Sequence, residues 1–193
     1  MMALALALFA GDCSGVMSGS KGPPPTYDLS AAENFPRATR APRAQIIIPE
    51  ATALSVLDSE RIIVRPAEGE ITALADAQWS DRLTRLVQIR TIQTFENARR
   101  LRAVGRPGEH IAADYQLLLD IRAFEISVPA GPAAEVEISA KLVSDSSGRI
   151  TAARVFRALV PAGAAQGPPA INALDQAFGQ VATEIVLWAS KII

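Results

Sequence analysis

The chain has 193 residues, with 19 Lys and Arg against 20 Asp and Glu, one His and one Cys, for a formal net charge of -1. That balance lacks the basic excess of a nucleic-acid footprint, and 5% aromatic content is too sparse for a base-stacking platform. A lone Cys excludes an intramolecular disulfide, and one Cys with one His cannot complete a Cys/His zinc site, so no metal or cofactor is expected.

The N-terminus carries the most specific signal. Ala3 to Ala10 is an apolar run, Cys13 follows it, and Ser14 to Pro25 is rich in Ser, Gly and Pro. The run is too short to cross a bilayer, which takes about 20 residues. An apolar leader, one thiol and a flexible spacer are together what a bacterial lipoprotein needs: the leader is removed, the cysteine carries lipid, and the spacer lets a folded domain stand off the membrane. Two features depart from the usual pattern. Asp12 stands where a small residue precedes the cysteine, and the leader has no Lys or Arg at its start. The expected organisation is a lipoprotein signal peptide at 1–12, a lipidated Cys13 with a tether over 13–43, and a domain over 44–193 that is large enough to bury its own core.

Within the tether, Tyr27-Asp28-Leu29 predicts a short first strand. Gln45 to Ile48, closed by Pro49, and Arg61 to Arg65, closed by Pro66, predict strands, and their continuous apolar runs suit burial on both faces. Glu70 to Asp76 is a weaker strand. Ser80 reads as an N-cap with Asp81 in the first turn of a helix running to Ala98. Leu83, Leu86, Val87 and Phe95 lie towards one side of that helix, and Ile89 and Ile92 fall nearly opposite. Either the protein's own chain covers this second stripe or Ile89 and Ile92 face another protomer or a partner. Residues 102–106 form a short strand or turn.

Three long β segments follow. Over 113–128 the apolar positions switch phase, from Leu117, Leu119 and Ile121 to Phe124, Ile126 and Val128, which predicts a bulge. Residues 134–143 alternate apolar and polar, Asp145 to Gly148 is a hairpin turn, and 149–160 return, making an antiparallel meander. Pro168-Pro169 suits the first turn of a last helix. Its stripe of Ile171, Leu174, Phe178, Val181, Ile185, Trp188 and Ile192 predicts a core helix lying on the sheet. The expected fold is α/β in the broad sense (α+β): one sheet with an antiparallel C-terminal meander, packed by two main helices.

No catalytic constellation emerges. There is no nucleophile elbow, phosphate-cradling glycine loop or dinucleotide fingerprint. His110 reads as a solvated loop residue. Asp114, Asp120 and Glu125 lie on strands and are expected to pair across them with Arg122 or Arg154. Arg99, Arg100, Arg102 and Arg106 gather after the first helix, where they complement its dipole or meet anionic headgroups or an acidic partner. Trp79, at the strand-to-helix junction, is expected to plug the edge of the core.

The ordered set Pro25-Thr26-Tyr27-Asp28-Leu29, Arg61 to Pro66, Ala75 to Leu83, Leu101 to Gly105, Asp114 to Leu117, Asp120 to Glu125 and Val136 to Leu142 resembles the ABC-type transport auxiliary lipoprotein family, which includes the C component of the paraquat-inducible Pqi system. Trp79, Asp81 and Arg82 stand in the most distinctive of these pieces. The resemblance implies a non-enzymatic periplasmic lipoprotein beside an ABC permease, its ATPase and an Mce-domain protein, in a system moving phospholipids or other hydrophobic molecules between inner and outer membranes. It further implies lipidation at Cys13 and docking on the Mce protein, with a homo-oligomer as one arrangement. Ser14 after the cysteine is compatible with outer-membrane sorting. The alternative reading is a periplasmic protein that itself holds a lipid or other apolar ligand in a pocket.

Overall fold

The computed structural model describes residues 22–36, 43–110 and 112–193. Cys13 lies outside the described residues. The order of elements is β1 (Thr26–Tyr27), β2 (Gln45–Ile47), β3 (Thr52–Ala53), β4 (Arg61–Arg65), β5 (Thr72–Trp79), α1 (Leu83–Ala98), β6 (Ala103–Gly105), β7 (Tyr115–Ser127), β8 (Ala133–Ser144), β9 (Ile150–Pro161) and α2 (Gly167–Ile192). All nine strands belong to one open sheet.

The long strand β7 organises that sheet. One edge pairs antiparallel with β8 along its length, and β8 pairs with β9, giving the expected meander. The other edge is taken in turn by three parallel pieces: β2 beside Tyr115 and Gln116, β3 beside Asp120 and Ile121, and β4 beside Glu125 to Ser127. Pro49 lies between the first two pieces, where a missing N–H interrupts a ladder. β6 extends the sheet beyond β2, and β5 followed by β1 extends it beyond β4. Flanked on both edges, β4 buries Ile62, Ile63 and Val64 in succession, so both of its faces are covered, as its continuous apolar run predicts.

The register of β7 against β8 shifts between Ile121 and Ala123. This is the bulge that the phase switch predicts. It keeps Leu117, Leu119 and Ile121 on the same buried face as Phe124 and Ile126. That face carries the helices. α2 buries Ile171, Leu174, Phe178, Val181 and Ile185 against the meander, Trp188 meets Phe156 edge to face at 5.5 Å, and only Ile192 at the end of the stripe is exposed.

The other face of the meander is solvated and charged. Arg157 pairs with Glu135 at 2.6 Å and lies 3.9 Å from Glu137, and Arg122 reaches Glu137 at 3.7 Å. The carboxylates expected to pair with Arg122 or Arg154 divide differently. Asp120 does approach Arg122, at 3.8 Å. Glu125 instead takes a two-pronged bond from Arg65 on the neighbouring β4, at 2.5 and 3.0 Å, because parallel pairing sets Arg65 beside Ser127. Asp114 accepts the backbone N–H of Gln45, and Arg154 lies over the Phe156 ring.

Candidate functional site

The strand-to-helix junction gathers the residues that the sequence singles out. Trp79 is 1% exposed and meets Phe124 edge to face at 5.8 Å. Its N–H bonds the Glu60 carbonyl, and the Ser80 N–H bonds the Tyr27 carbonyl, so the chain is still sheet-bound at Ser80. The helix therefore starts later than Ser80 and Asp81 suggest. Arg82 occupies the N-cap position with no side-chain cap, no acidic residue lies in the first turn, and the Leu83 N–H is satisfied by the Ser59 carbonyl. Asp81 sits outside the helix, where it accepts the Arg82 N–H at 2.8 Å and faces Arg85 at 3.4 Å.

Arg82 reaches back to the segments on either side of β3, bonding both oxygens of Asp58 after it and one of Glu50 before it. The buried Thr84 hydroxyl lies between the same two carboxylates, 2.7 Å from Asp58 and 3.0 Å from Glu50. Gln88, one turn on, donates to the Ile48 carbonyl at 2.8 Å. Trp79, Asp81 and Arg82 are thus brought together to fix the start of α1 on the sheet and on the 49–60 loop. Glu50, Asp58 and Thr84 complete this clamp and carry no sequence signal, because their partners lie 24 to 34 residues away.

A second feature lies inside the segment expected to be tether. β1 pairs with the end of β5, and residues 28–36 then run as a strap along α1. Asp28 pairs with Arg90, the Ser30 N–H bonds Asp175 of α2 at 2.6 Å, and the Ala32 N–H bonds the Thr94 hydroxyl at 3.2 Å. Asn97 donates to the Ala32 carbonyl and Arg100 to that of Pro36. Leu29 is 2% exposed and Phe35 packs on the core. The boundary drawn at residue 43 therefore falls too late: 26–36 belong to the domain, held by hydrogen bonds and a buried leucine that a Pro-rich composition hides.

The strap, α2 and the 48–58 segment pack around α1 and leave a strip with Arg85 and Glu96 exposed. Ile92 is accordingly 7% exposed and Ile89 half-buried. The protein's own chain covers Ile92, which corrects the reading of that residue as an open contact surface, and covers Ile89 in part. His110 lies in an exposed loop with φ of 58°, its Nδ1 against the Gly108 carbonyl.

Among the described residues, no three His, Cys, Asp or Glu side chains come together to hold a metal ion, and no helix is long and apolar enough to cross a membrane. Open clefts flank the strap. One of about 640 Å³ is lined by Asp28, Glu33, Arg90 and Glu96, and one of about 580 Å³ by Glu33, Asn34, Gln180 and Glu184. An apolar ligand there would desolvate charges without replacing their water.

Comparison with known proteins adds the family context. Residues 27–186 match the family model described as the ABC-type transport auxiliary lipoprotein component. The chain is 34% identical over 191 residues to the uncharacterized protein bll6063 of Bradyrhizobium diazoefficiens. That match covers 95% of this chain and 52% of the relative, so the chain spans about half the length of that curated relative. The crystal structure of protein XCC0632 from Xanthomonas campestris superposes with a TM-score of 0.79 at 30% identity, over 87% of this chain and 95% of the other. An uncharacterized protein of known structure shares the fold with a TM-score of 0.66 at 10% identity, over 86% of this chain and 99% of the other.

Proposed function

Because this chain belongs to the family of ABC-type transport auxiliary lipoprotein components, we propose that it is a non-enzymatic, lipid-anchored periplasmic subunit of an ABC/Mce-type transporter that moves phospholipids or other hydrophobic molecules between the inner and outer membranes. The match of the family model to residues 27–186 is the observation that carries this reading. It begins at β1, where the chain joins the sheet, and leaves Cys13 upstream with a short spacer between. In this reading lipid on Cys13 fixes the protein to the outer membrane, and the folded domain docks on the Mce-domain protein beside the permease and ATPase, alone or as a homo-oligomer. Trp79, Asp81 and Arg82 would serve by holding the domain's shape rather than by touching a substrate.

The test is the intact mass and membrane fractionation of the protein made in its own host, beside a Cys13→Ser variant. The expected result is loss of the leader and a mass gain of diacylglycerol size on Cys13, with both the gain and the membrane association abolished in the variant. A soluble, unmodified wild-type protein would overturn the anchor. Copurification of the lipidated protein with the Mce-domain protein tests the partner. If that protein is absent from the membrane extract, the transporter assignment fails even though the anchor stands.

A further inference from the structure

One end of the domain is basic although the chain as a whole carries a net charge of -1. The starts of β2, β6, β7 and β9, the end of β8 and the ends of both helices converge there. Their convergence is marked by an open cleft of about 430 Å³ lined by Arg43, Asp114, Tyr115, Ser144, Ser146 and Ile193. Arg43 precedes β2, and the adjoining Arg102 donates its backbone N–H to the Ala44 carbonyl. Arg99 ends α1 in a left-handed conformation, Arg149 sits on the β8–β9 hairpin, and Lys191 is in the last turn of α2. All five side chains are exposed, and none has an ion-pair partner among the described residues.

The carboxylates nearby are partly occupied. Asp114 accepts from the Gln45 N–H and Asp145 from the Gln116 side chain, each at 2.8 Å; both are exposed, and with Glu96 they set three acids against these five cations. The turn between β4 and β5, at the opposite end of β4, carries Glu68 and Glu70 instead. Two large apolar side chains stand among the basic groups: Ile150, 59% exposed beside Arg149, and Ile192, 38% exposed beside Lys191.

We propose that this end of the domain rests on an anionic phospholipid surface, with Arg43, Arg99, Arg102, Arg149 and Lys191 on the headgroup phosphates and Ile150 and Ile192 at the acyl boundary. Guanidinium groups bind phosphate in pairs of parallel bonds, and exposed apolar side chains within a basic rim suit a membrane interface. Chain length is consistent with this placement. The Pro25 carbonyl is held by the Gln78 N–H at 3.1 Å. Cys13 lies twelve residues upstream, a reach of about 40 Å. From that entry point α1 runs towards the basic end over 16 residues, about 24 Å. A lipid on Cys13 and the basic end can therefore meet the same bilayer, and two weak membrane signals together hold where one does not. The inference rests on the proposed anchor only for which bilayer the surface meets.

The test is vesicle flotation of the full chain carrying Cys13→Ser, with phosphatidylcholine alone and with about 30% phosphatidylglycerol added as the anionic lipid. The anionic lipid should raise binding by more than about a hundredfold, and salt should reverse the gain. Arg99→Gln, Arg102→Gln and Arg149→Gln together should lower the anionic increment on the order of a hundredfold, about fivefold for each arginine. These side chains hold no partner among the described residues, so circular dichroism should be unchanged. The matched set Arg61→Gln, Arg122→Gln and Arg157→Gln removes the same charge elsewhere and should change binding less than about threefold.

Equal losses in the two sets, or no dependence on anionic lipid in the parent, would overturn the inference. Binding to polyglutamate but not to the vesicles would assign the surface to an acidic protein and overturn it too. The two proposals separate cleanly. Anionic binding with an unmodified Cys13 in the native host supports this surface and refutes the anchor. A lipidated Cys13 without anionic binding does the reverse.

Discussion

Replacing Trp79 decides whether the most distinctive segment of the chain is structural. Trp79 is 1% exposed, meets Phe124 edge to face, and sits where β5 hands over to α1. Trp79→Ala removes a fully buried indole and leaves a cavity, at a cost of about 3 to 5 kcal/mol. Part of that cost is the ring pair, worth about 1 kcal/mol. A domain of this size has a total stability of roughly 5 to 15 kcal/mol, so the variant should be close to its folding threshold. With a melting shift of about 2 to 4 °C per kcal/mol, the transition should fall by roughly 6 to 20 °C. Trp79→Phe keeps a ring against Phe124 and should recover about half of the loss. The assay is urea unfolding of both variants followed by circular dichroism, with the slope of the transition checked for two-state behaviour. A Trp79→Ala protein that unfolds within about 1 kcal/mol of the parent would refute the reasoning, because no packed indole can be removed so cheaply. The residue would then have to be explained by a contact outside this chain.

The strap makes an independent prediction. Leu29→Ala should destabilise the domain by about 2 to 4 kcal/mol in denaturant titration, because Leu29 is 2% exposed, whereas a segment that is only spacer would tolerate the change. The two isoleucines of α1 should part company in the same assay. Ile92→Glu would bury a carboxylate at a position 7% exposed and unfold the protein, while Ile89→Glu, at a half-buried position, should leave it folded with a loss near 1 kcal/mol. Arg65→Met strands Glu125, whose side chain is 6% exposed, and should cost about 2 kcal/mol. That figure lies at the low end because Arg65 keeps 32% of its side chain in water. Adding Glu125→Leu should restore most of the loss, and failure of this rescue would show that the pair does not act as a unit.

The meander and the last helix were legible because their patterns are local. Alternation from Ala134 to Val143 fixes which face is buried, and the phase switch at Ile121–Phe124 marks a bulge without knowledge of the partner strand. Steps of three and four residues from Ile171 to Ile185 give the face of α2. Misreadings arose where distant residues decide. Ser80 and Asp81 have the chemistry of a helix start, yet β1 and the Glu60 carbonyl hold the chain extended through Ser80, so tertiary pairing overrides the local cap. β3 consists of two residues, too short for any pattern, and exists because β7 presents an edge to it. The strap has a tether's composition, and only its bonds to α1 and to Asp175 show it to be part of the fold.

The candidate site follows the same division. Trp79 could be recognised as a core plug because a large aromatic between strand and helix has few other uses. The role of Arg82 could not, since an arginine at a helix start opposes the positive end of the dipole and looks misplaced there. Asp58 and Glu50 resolve the misfit: two carboxylates from either side of β3 accept the guanidinium, and their combined negative charge offsets both it and the helix terminus. The basic end shows the converse. Arg99, Arg102 and Arg106 are close in sequence and invite a reading as dipole partners of α1. The convergence of chain ends brings Arg43, Arg149 and Lys191 from three other elements towards Arg99 and Arg102, while Arg106, beyond the far end of β6, is carried away from them. A helix dipole is satisfied by one or two cations in its last turn, so it does not account for cations gathered from three other elements. The excess positive charge at that end is a property of the surface rather than of the helix.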